Sequence, residues 1–222
     1  MKSPTQLSIV SANGRSLSNL FFSADHANDW LALALPGLGY TADMPLLYYT
    51  KMLLSNRGVD VLQLMPATMS AEYLALDAES RKGWLRSDVL AGLEVGLKQR
   101  PYRGLVLVGK SIGSISVALA LPTAQSRLPT CAVWLTPLFR EPIVMDAAFS
   151  CKGPSCFLCG GADSTYQQEK MDSILKLNTK AIAWIAAGAD HSLEIAGDED
   201  ATFQALKEGM QTVGRFLDDA LV

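Results

Sequence analysis

Leu105-Val106-Leu107-Val108-Gly109-Lys110-Ser111-Ile112-Gly113 is the stretch that decides how the rest of the chain is read. Four consecutive apolar residues, two of them β-branched, predict a strand buried on both faces. Ser114 to Leu121 then reads as a helix that Pro122 stops. Gly109 and Gly113 bracket Ser111 at the spacing G-x-S-x-G, the pattern of a serine on a strained strand-to-helix turn. Side chains two residues to either side would collide across such a turn. Counted from Gly104, the same residues also spell G-x-x-x-x-G-K-S, the pattern of a phosphate-cradling loop.

Working outward, the bulk properties narrow the choice. The 222 residues are enough for one α/β domain, taken here as residues 1–222, that buries roughly 70% of its unfolded surface. An apolar fraction of 49% with 18% charged residues describes a globular protein. The net charge of −3, with no block of lysines or arginines, argues against nucleic acid as a partner. The N-terminus leads into a strand-like run rather than a signal-peptide core, and no segment offers about 18 uninterrupted apolar residues. These features predict a soluble, cytoplasmic protein without a membrane partner; they leave the oligomeric state open. Cys131, Cys151, Cys156 and Cys159 are the four cysteines. The one C-x-x-C pair falls inside an apparent strand, where residues three apart point to opposite faces, so buried free thiols are expected.

Leu7–Val10 and Leu17–Phe22 flank Ala12-Asn13-Gly14-Arg15, a hairpin signal. Strands then alternate with helix-length segments, which predicts a mostly parallel sheet with helices on both faces. The strands are placed at Trp30–Leu35, Val59–Met65, Leu105–Val108, Cys131–Leu135, Cys156–Cys159 and Ala181–Ala186. Helices are placed at Met44–Asn56 with Asp43 as N-cap, Trp84–Gln99, Ser114–Leu121, Thr165–Leu177 and Asp198–Leu221. Ala67–Lys82 is polar and weakly periodic and reads as a loop with a short helical turn. Arg140–Pro154 is a connection with room for one short helix.

Ser111, Asp163 and His191 each fall just after an expected strand, at the carboxyl edge where open α/β sheets build their sites. Their order along the chain is that of a nucleophile, an acid and a general base in one class of serine hydrolase. Only two histidines exist, and His26 lies in a polar turn, so His191 takes the base role. Asp163 follows Gly160-Gly161-Ala162 and competes with a plain N-cap role; Glu141 is the fallback acid. The tetrahedral intermediate of acyl transfer needs donors for its oxyanion. The N–H of Ile112 supplies one, and Leu38 in the turn Pro36-Gly37-Leu38-Gly39 supplies the other.

Leu35-Pro36-Gly37-Leu38-Gly39, Gly109-Lys110-Ser111-Ile112-Gly113, Gly160-Gly161-Ala162-Asp163 and Gly188-Ala189-Asp190-His191-Ser192 together resemble the α/β-hydrolase superfamily over nearly the whole chain. The resemblance implies the α/β-hydrolase fold, a Ser-Asp-His triad and no cofactor or metal. Pro36-Gly37 stands where many members carry His-Gly. The stretch from Pro137 to Ser155 is too short for a large lid domain, which resembles the small lidless esterases. The expected reaction is therefore hydrolysis of a carboxylic ester with a short or medium acyl chain, on a small-molecule substrate. A thioester, an amide, or a non-catalytic binding role on the same fold are the alternatives.

Two competing motifs lose their context. In the phosphate-loop reading the four variable positions after Gly104 are the strand itself, and no strand precedes them. Gly37-Leu38-Gly39-Tyr40-Thr41-Ala42 matches a dinucleotide fingerprint, but the next strand ends in Leu64-Met65-Pro66 rather than in an acid, and Asp60 sits near its beginning. Lys110 is expected as an exposed side chain near the site. Tyr40, Met44, Met69 and Leu138 are the candidate substrate-binding residues.

Overall fold

The computed structural model describes residues 3–24 and 28–221; His26 lies outside them. Among the described residues, seven strands form one sheet in the order β1-β3-β2-β4-β5-β6-β7. These are β1 (Ser18–Phe22), β2 (Trp30–Leu35), β3 (Asp60–Met65), β4 (Gly104–Lys110), β5 (Thr130–Leu135), β6 (Ser155–Gly160) and β7 (Ala181–Ala186). Among these strands only β1 runs antiparallel, against β3; the other strand-to-strand pairings are parallel. The N-terminal hairpin closes around Asn13-Gly14, with Gly14 at φ 78°. Its first arm forms isolated bridges, Thr5 with Phe21 and Val10 with Ser16, rather than a full strand.

The seven helices among the described residues are α1 (Pro45–Ser55), α2 (Ala71–Leu74), α3 (Ala78–Leu97), α4 (Gly113–Arg127), α5 (Pro142–Ser150), α6 (Gln168–Leu177) and α7 (Glu199–Ala220). β4 shows why both faces are covered. Leu105 and Leu107 belong to the core beneath α3, α4, α5 and α6, whereas Val106 and Val108 belong to the core beneath α1 and α7. All four side chains are fully buried, and each such burial contributes roughly 1.5–3 kcal/mol. Cys156 and Cys159 likewise face opposite cores, and burial raises both thiols, Cys156 to about 12. No helix among the described residues is long and apolar enough to cross a membrane.

Four of the boundaries that differ from those read off the sequence have a clear physical cause. Pro122 does not stop its helix: α4 continues to Arg127. A proline inside a helix costs about 3 kcal/mol. Pro122 is on the exposed side, while Leu121 and Ala124 are buried in the core, and their burial offsets the lost bond. α3 starts at Ala78, well before Trp84, because Asp77 caps it by accepting from the Ser80 N–H at 2.9 Å. The N-cap of α1 is Met44 without a side-chain bond; Asp43 faces Lys51 instead, at 3.4 Å. α6 begins at Gln168, because Asp163 and Thr165 are used in a turn before it.

β5 and β6 are joined through a stack of Trp134 on Phe157, cross-strand neighbours with ring centroids 5.7 Å apart and planes 4° from parallel. Phe139 packs against the same Phe157 ring at 6.2 Å. All three are fully buried. Phe157→Ala is expected to lower the free energy of unfolding in urea by about 3–5 kcal/mol, the range for emptying a well-packed aromatic site. A loss below about 1 kcal/mol would show that the stack is not a principal fastening of this half of the sheet.

Candidate active site

The order of the sheet reverses between β2 and β4, and the crevice outside their carboxyl ends is where an open α/β sheet builds a site. Ser111 stands there with φ +54°, in the left-handed region that non-glycine residues seldom occupy. Its surroundings over-determine that conformation. The Ser111 N–H donates to the Leu135 carbonyl at 3.0 Å, and the Ser111 carbonyl accepts from the Ser114 N–H at 2.8 Å and the Ser114 Oγ at 2.6 Å. The two flanking glycines are required by space. A Cβ on Gly113 would lie 2.1 Å from the Leu35 carbonyl oxygen, and one on Gly109 would lie 2.5 Å from the Gly113 carbonyl oxygen.

His191 and Asp163 reach Ser111 from the loops after β7 and β6. His191 Nε2 lies 2.8 Å from Ser111 Oγ, and His191 Nδ1 lies 2.6 Å from Asp163 Oδ2. An ionised Asp163 can only accept, so Nδ1 carries the ring proton and Nε2 is left to accept from the serine. Burial alone would raise the Asp163 pKa; the bonds from His191 and from the Thr165 N–H and hydroxyl outweigh it and hold the carboxyl below its usual range. The two loops can meet because a Cβ on Gly160 would lie 2.1 Å from the Asp190 carbonyl oxygen. Asp190 is spent on shaping the histidine loop, its Oδ1 accepting from the N–H groups of Ser192 (2.7 Å) and Glu194 (3.0 Å). Glu141 is the N-cap residue before α5 and lines the cavity without bonding the imidazole.

A cavity of about 520 Å³ opens in front of this relay. Leu38, Ile112, Ile115, Leu138, Leu85 and Tyr73 form its apolar wall, with Arg81, Lys82, Arg140 and Glu141 among the polar residues. Leu38 and Leu138 therefore line it. Tyr40, Met44 and Met69 do not: Tyr40 is buried in the core, and the two methionines are exposed elsewhere. The N–H groups of Leu38 and Ile112 donate no hydrogen bond among the described residues. Ile112 is also the N-cap of α4, so the positive end of that helix faces the serine. Sequence reading missed Thr165, Tyr73, Arg81, Lys82 and Arg140. An Asp followed two residues later by Thr was the signal for an Asx turn at Asp163; nothing in the polar segment before Trp84 marked it as a cavity wall.

Lys110 corrects the expectation of an exposed side chain. It is 2% exposed. Its stem runs under Gly37, where an added Cβ would lie 3.1 Å from Lys110 Cδ, and its ammonium lies 4.4 Å from the centre of the Tyr40 ring. The nearby Tyr40 hydroxyl accepts from the Leu46 N–H at 3.0 Å. The enclosed lysine and the strand character of residues 104–110 leave no loop to cradle a phosphate. Asp60, the one acid of β3, is its first residue, far from the carboxyl end, and is bound by Arg100 and Tyr102.

Burial pushes Lys110 down to about 8, against the opposite pull of Asp163 and Asp190. The unfolded chain then holds more protons than the folded one between about pH 8 and the ordinary lysine value of 10.5, so stability rises with pH across that interval. At neutral pH the buried charge costs about 3 kcal/mol. Lys110→Met is expected to raise the unfolding free energy at pH 7 by ~1–3 kcal/mol and to flatten its rise above pH 8, in urea titrations run across pH. An unchanged slope above pH 8 would assign the effect to another group.

No protein-family model matches the sequence, and no curated protein matches it. Solved structures do. The esterase Pf2001 of Pyrococcus furiosus superposes with a TM-score of 0.74 at 16% identity, over 99% of this chain and 93% of that one. XC6422 of Xanthomonas campestris, described as an α/β serine hydrolase without a lid, gives 0.73 at 15% identity over 99% and 95%. Est1E of Butyrivibrio proteoclasticus with ferulic acid bound gives 0.76 at 13% identity over 96% and 99%. At these identities the likeness concerns architecture. With its parallel sheet, the antiparallel β1 at its edge and a single short helix between β5 and β6, the chain has the α/β-hydrolase fold in its lidless form.

Proposed function

We propose that this protein is a serine hydrolase that cleaves a carboxylic ester with a short or medium acyl chain. The observation that carries the reading is the unbroken relay from Ser111 Oγ through His191 to Asp163, at 2.8 and 2.6 Å. His191 takes the serine proton as Oγ attacks the ester carbonyl, and the alcohol leaves with that proton. Water then attacks the acyl-serine by the same route, releasing the acid and restoring Ser111. Asp163 holds the imidazole in the required tautomer and stabilises its cation, and Thr165 keeps the carboxylate oriented. The N–H groups of Ile112 and Leu38 receive the oxyanion. The chemistry requires no metal or cofactor.

A strained serine backbone costs roughly 1–3 kcal/mol. A scaffold that only bound ligands would have no use for that strain together with a base and an oriented acid. Ser111→Ala is expected to lower turnover of p-nitrophenyl butyrate by at least about four orders of magnitude, with an unchanged melting curve, and to abolish labelling by a fluorophosphonate. Undiminished turnover would remove Ser111 from the mechanism. Asp163→Asn is expected to reduce kcat by about four orders of magnitude with little change in KM, because the tautomer is lost while the cavity remains. A change confined to KM would place Asp163 outside the relay.

A further inference from the structure

The chain as a whole is acidic, with 22 aspartates and glutamates against 19 lysines and arginines, but its cavity is not. Arg81, Lys82 and Arg140 line it, and the only carboxylates beside them among the lining residues are Glu141 and the committed Asp163. Among the described residues, none of the three cations has a carboxylate closer than 3.9 Å. Arg81 donates to the Tyr73 carbonyl at 3.2 Å and to the Leu74 carbonyl, which fixes its fork against α2 and uses only part of its donor set. Lys82 has Glu79 one turn away at 3.9 Å, and that glutamate side chain is 89% exposed, so water screens the pair. Arg140 forms no ion pair among the described residues.

We infer that this cavity selects an ester bearing a second, anionic group, a carboxylate or a phosphate, a short chain away from the scissile carbonyl. The inference rests on the hydrolase reading for where that carbonyl sits. Leu38, Leu85, Ile112, Ile115 and Leu138 suit the hydrocarbon spacer, whereas Arg81, Lys82 and Arg140 suit its charged end. A plain alkyl chain filling the cavity would strip water from these cations and return nothing to them. An anion replaces that water with charge-assisted hydrogen bonds, bidentate where an arginine fork meets two oxygens. The electropositive mouth also draws an anionic substrate toward an otherwise repelling acidic protein.

The test compares matched esters on the intact protein at low ionic strength. Mono-p-nitrophenyl glutarate is set against p-nitrophenyl valerate for a charge in the acyl half, and the acetate ester of 4-hydroxybutyrate against butyl acetate for a charge in the alcohol half. Replacing each carboxylate by a phosphonate distinguishes the two anions. In at least one pair, kcat/KM for the charged ester is expected to exceed that of its neutral partner by about tenfold, carried by KM. The ratio is expected to shrink in 0.5 M salt, where the screening length is about 4 Å, and to fall severalfold in the folded double variant Lys82→Gln/Arg140→Gln, which leaves Arg81 as the one remaining cation of the three. Preference for the neutral ester in every pair, or a ratio that the double variant leaves intact, would overturn the inference. If the wild-type protein turned over none of these esters, the hydrolase reading would fail by itself, and calorimetry would decide the charge preference. Salt-sensitive binding of monoethyl glutarate over ethyl valerate that the double variant loses would uphold it, and equal binding would overturn it.

Discussion

The backbone of Ser111 is held in a conformation that its own chemistry disfavours, and the middle of the molecule is arranged to keep it there. β4 and α4 meet at so sharp an angle that neither Gly109 nor Gly113 has room for a Cβ, the latter because the Leu35 carbonyl fills the space. That close approach brings the end of β2 beside the start of α4 and so sets the Gly37–Gly39 turn next to the serine. The strain is opposed by the burial of β4 on both faces and by three hydrogen bonds around residue 111. A flexible link at this position would relax the turn and withdraw the hydroxyl from the imidazole.

The polar groups around the serine are arranged so that each buried charge has a defined partner or face. Asp163 is held by an imidazole, an amide and a hydroxyl. Asp190, its neighbour in the site, folds the histidine loop through its Oδ1, whereas the imidazole bonds Asp163. Lys110 is the costly exception. Its ammonium rests on the Tyr40 ring with two aspartates in its field, and its stem supports the turn that carries Leu38. The lysine thus ties the loop on one side of the serine to the strand beneath it, at the expense of a desolvated charge.

The cavity has two sources of different character. Its floor comes from strand ends and from the first residues of α4, which the sheet fixes rigidly. Its far wall comes from α2 and the first two turns of α3, a segment bound by the Ser70 and Asp77 caps and by Arg81 reaching back to the carbonyls of α2. The reacting atoms belong to the rigid part, and the cationic side chains Arg81 and Lys82 belong to the wall. The cavity is thus built from a fixed floor that holds Ser111, His191 and Asp163 and a separate helical wall that carries the cationic side chains.

The sequence by itself determined the alternation of strands and helices, the turn at Ser111 and the order Ser111, Asp163, His191, because each rests on local rules. A doubly buried strand is a run of apolar residues, a crowded turn demands glycines, and a strand end is marked by polar loop residues. Tertiary structure decided what local rules cannot reach. Pro122 stays inside α4 because the core holds the residues around it, and Lys110 is buried because Tyr40, distant in sequence, covers it. The weakly periodic stretch before Trp84 becomes the cavity wall because its partners lie across the crevice. Of the apolar residues near strand ends, only the packing sent Leu38 and Leu138 to the cavity and Tyr40 to the core. Side chains with the same hydropathy carry no mark of which surface they will face, and that is settled only when the loops close over the sheet.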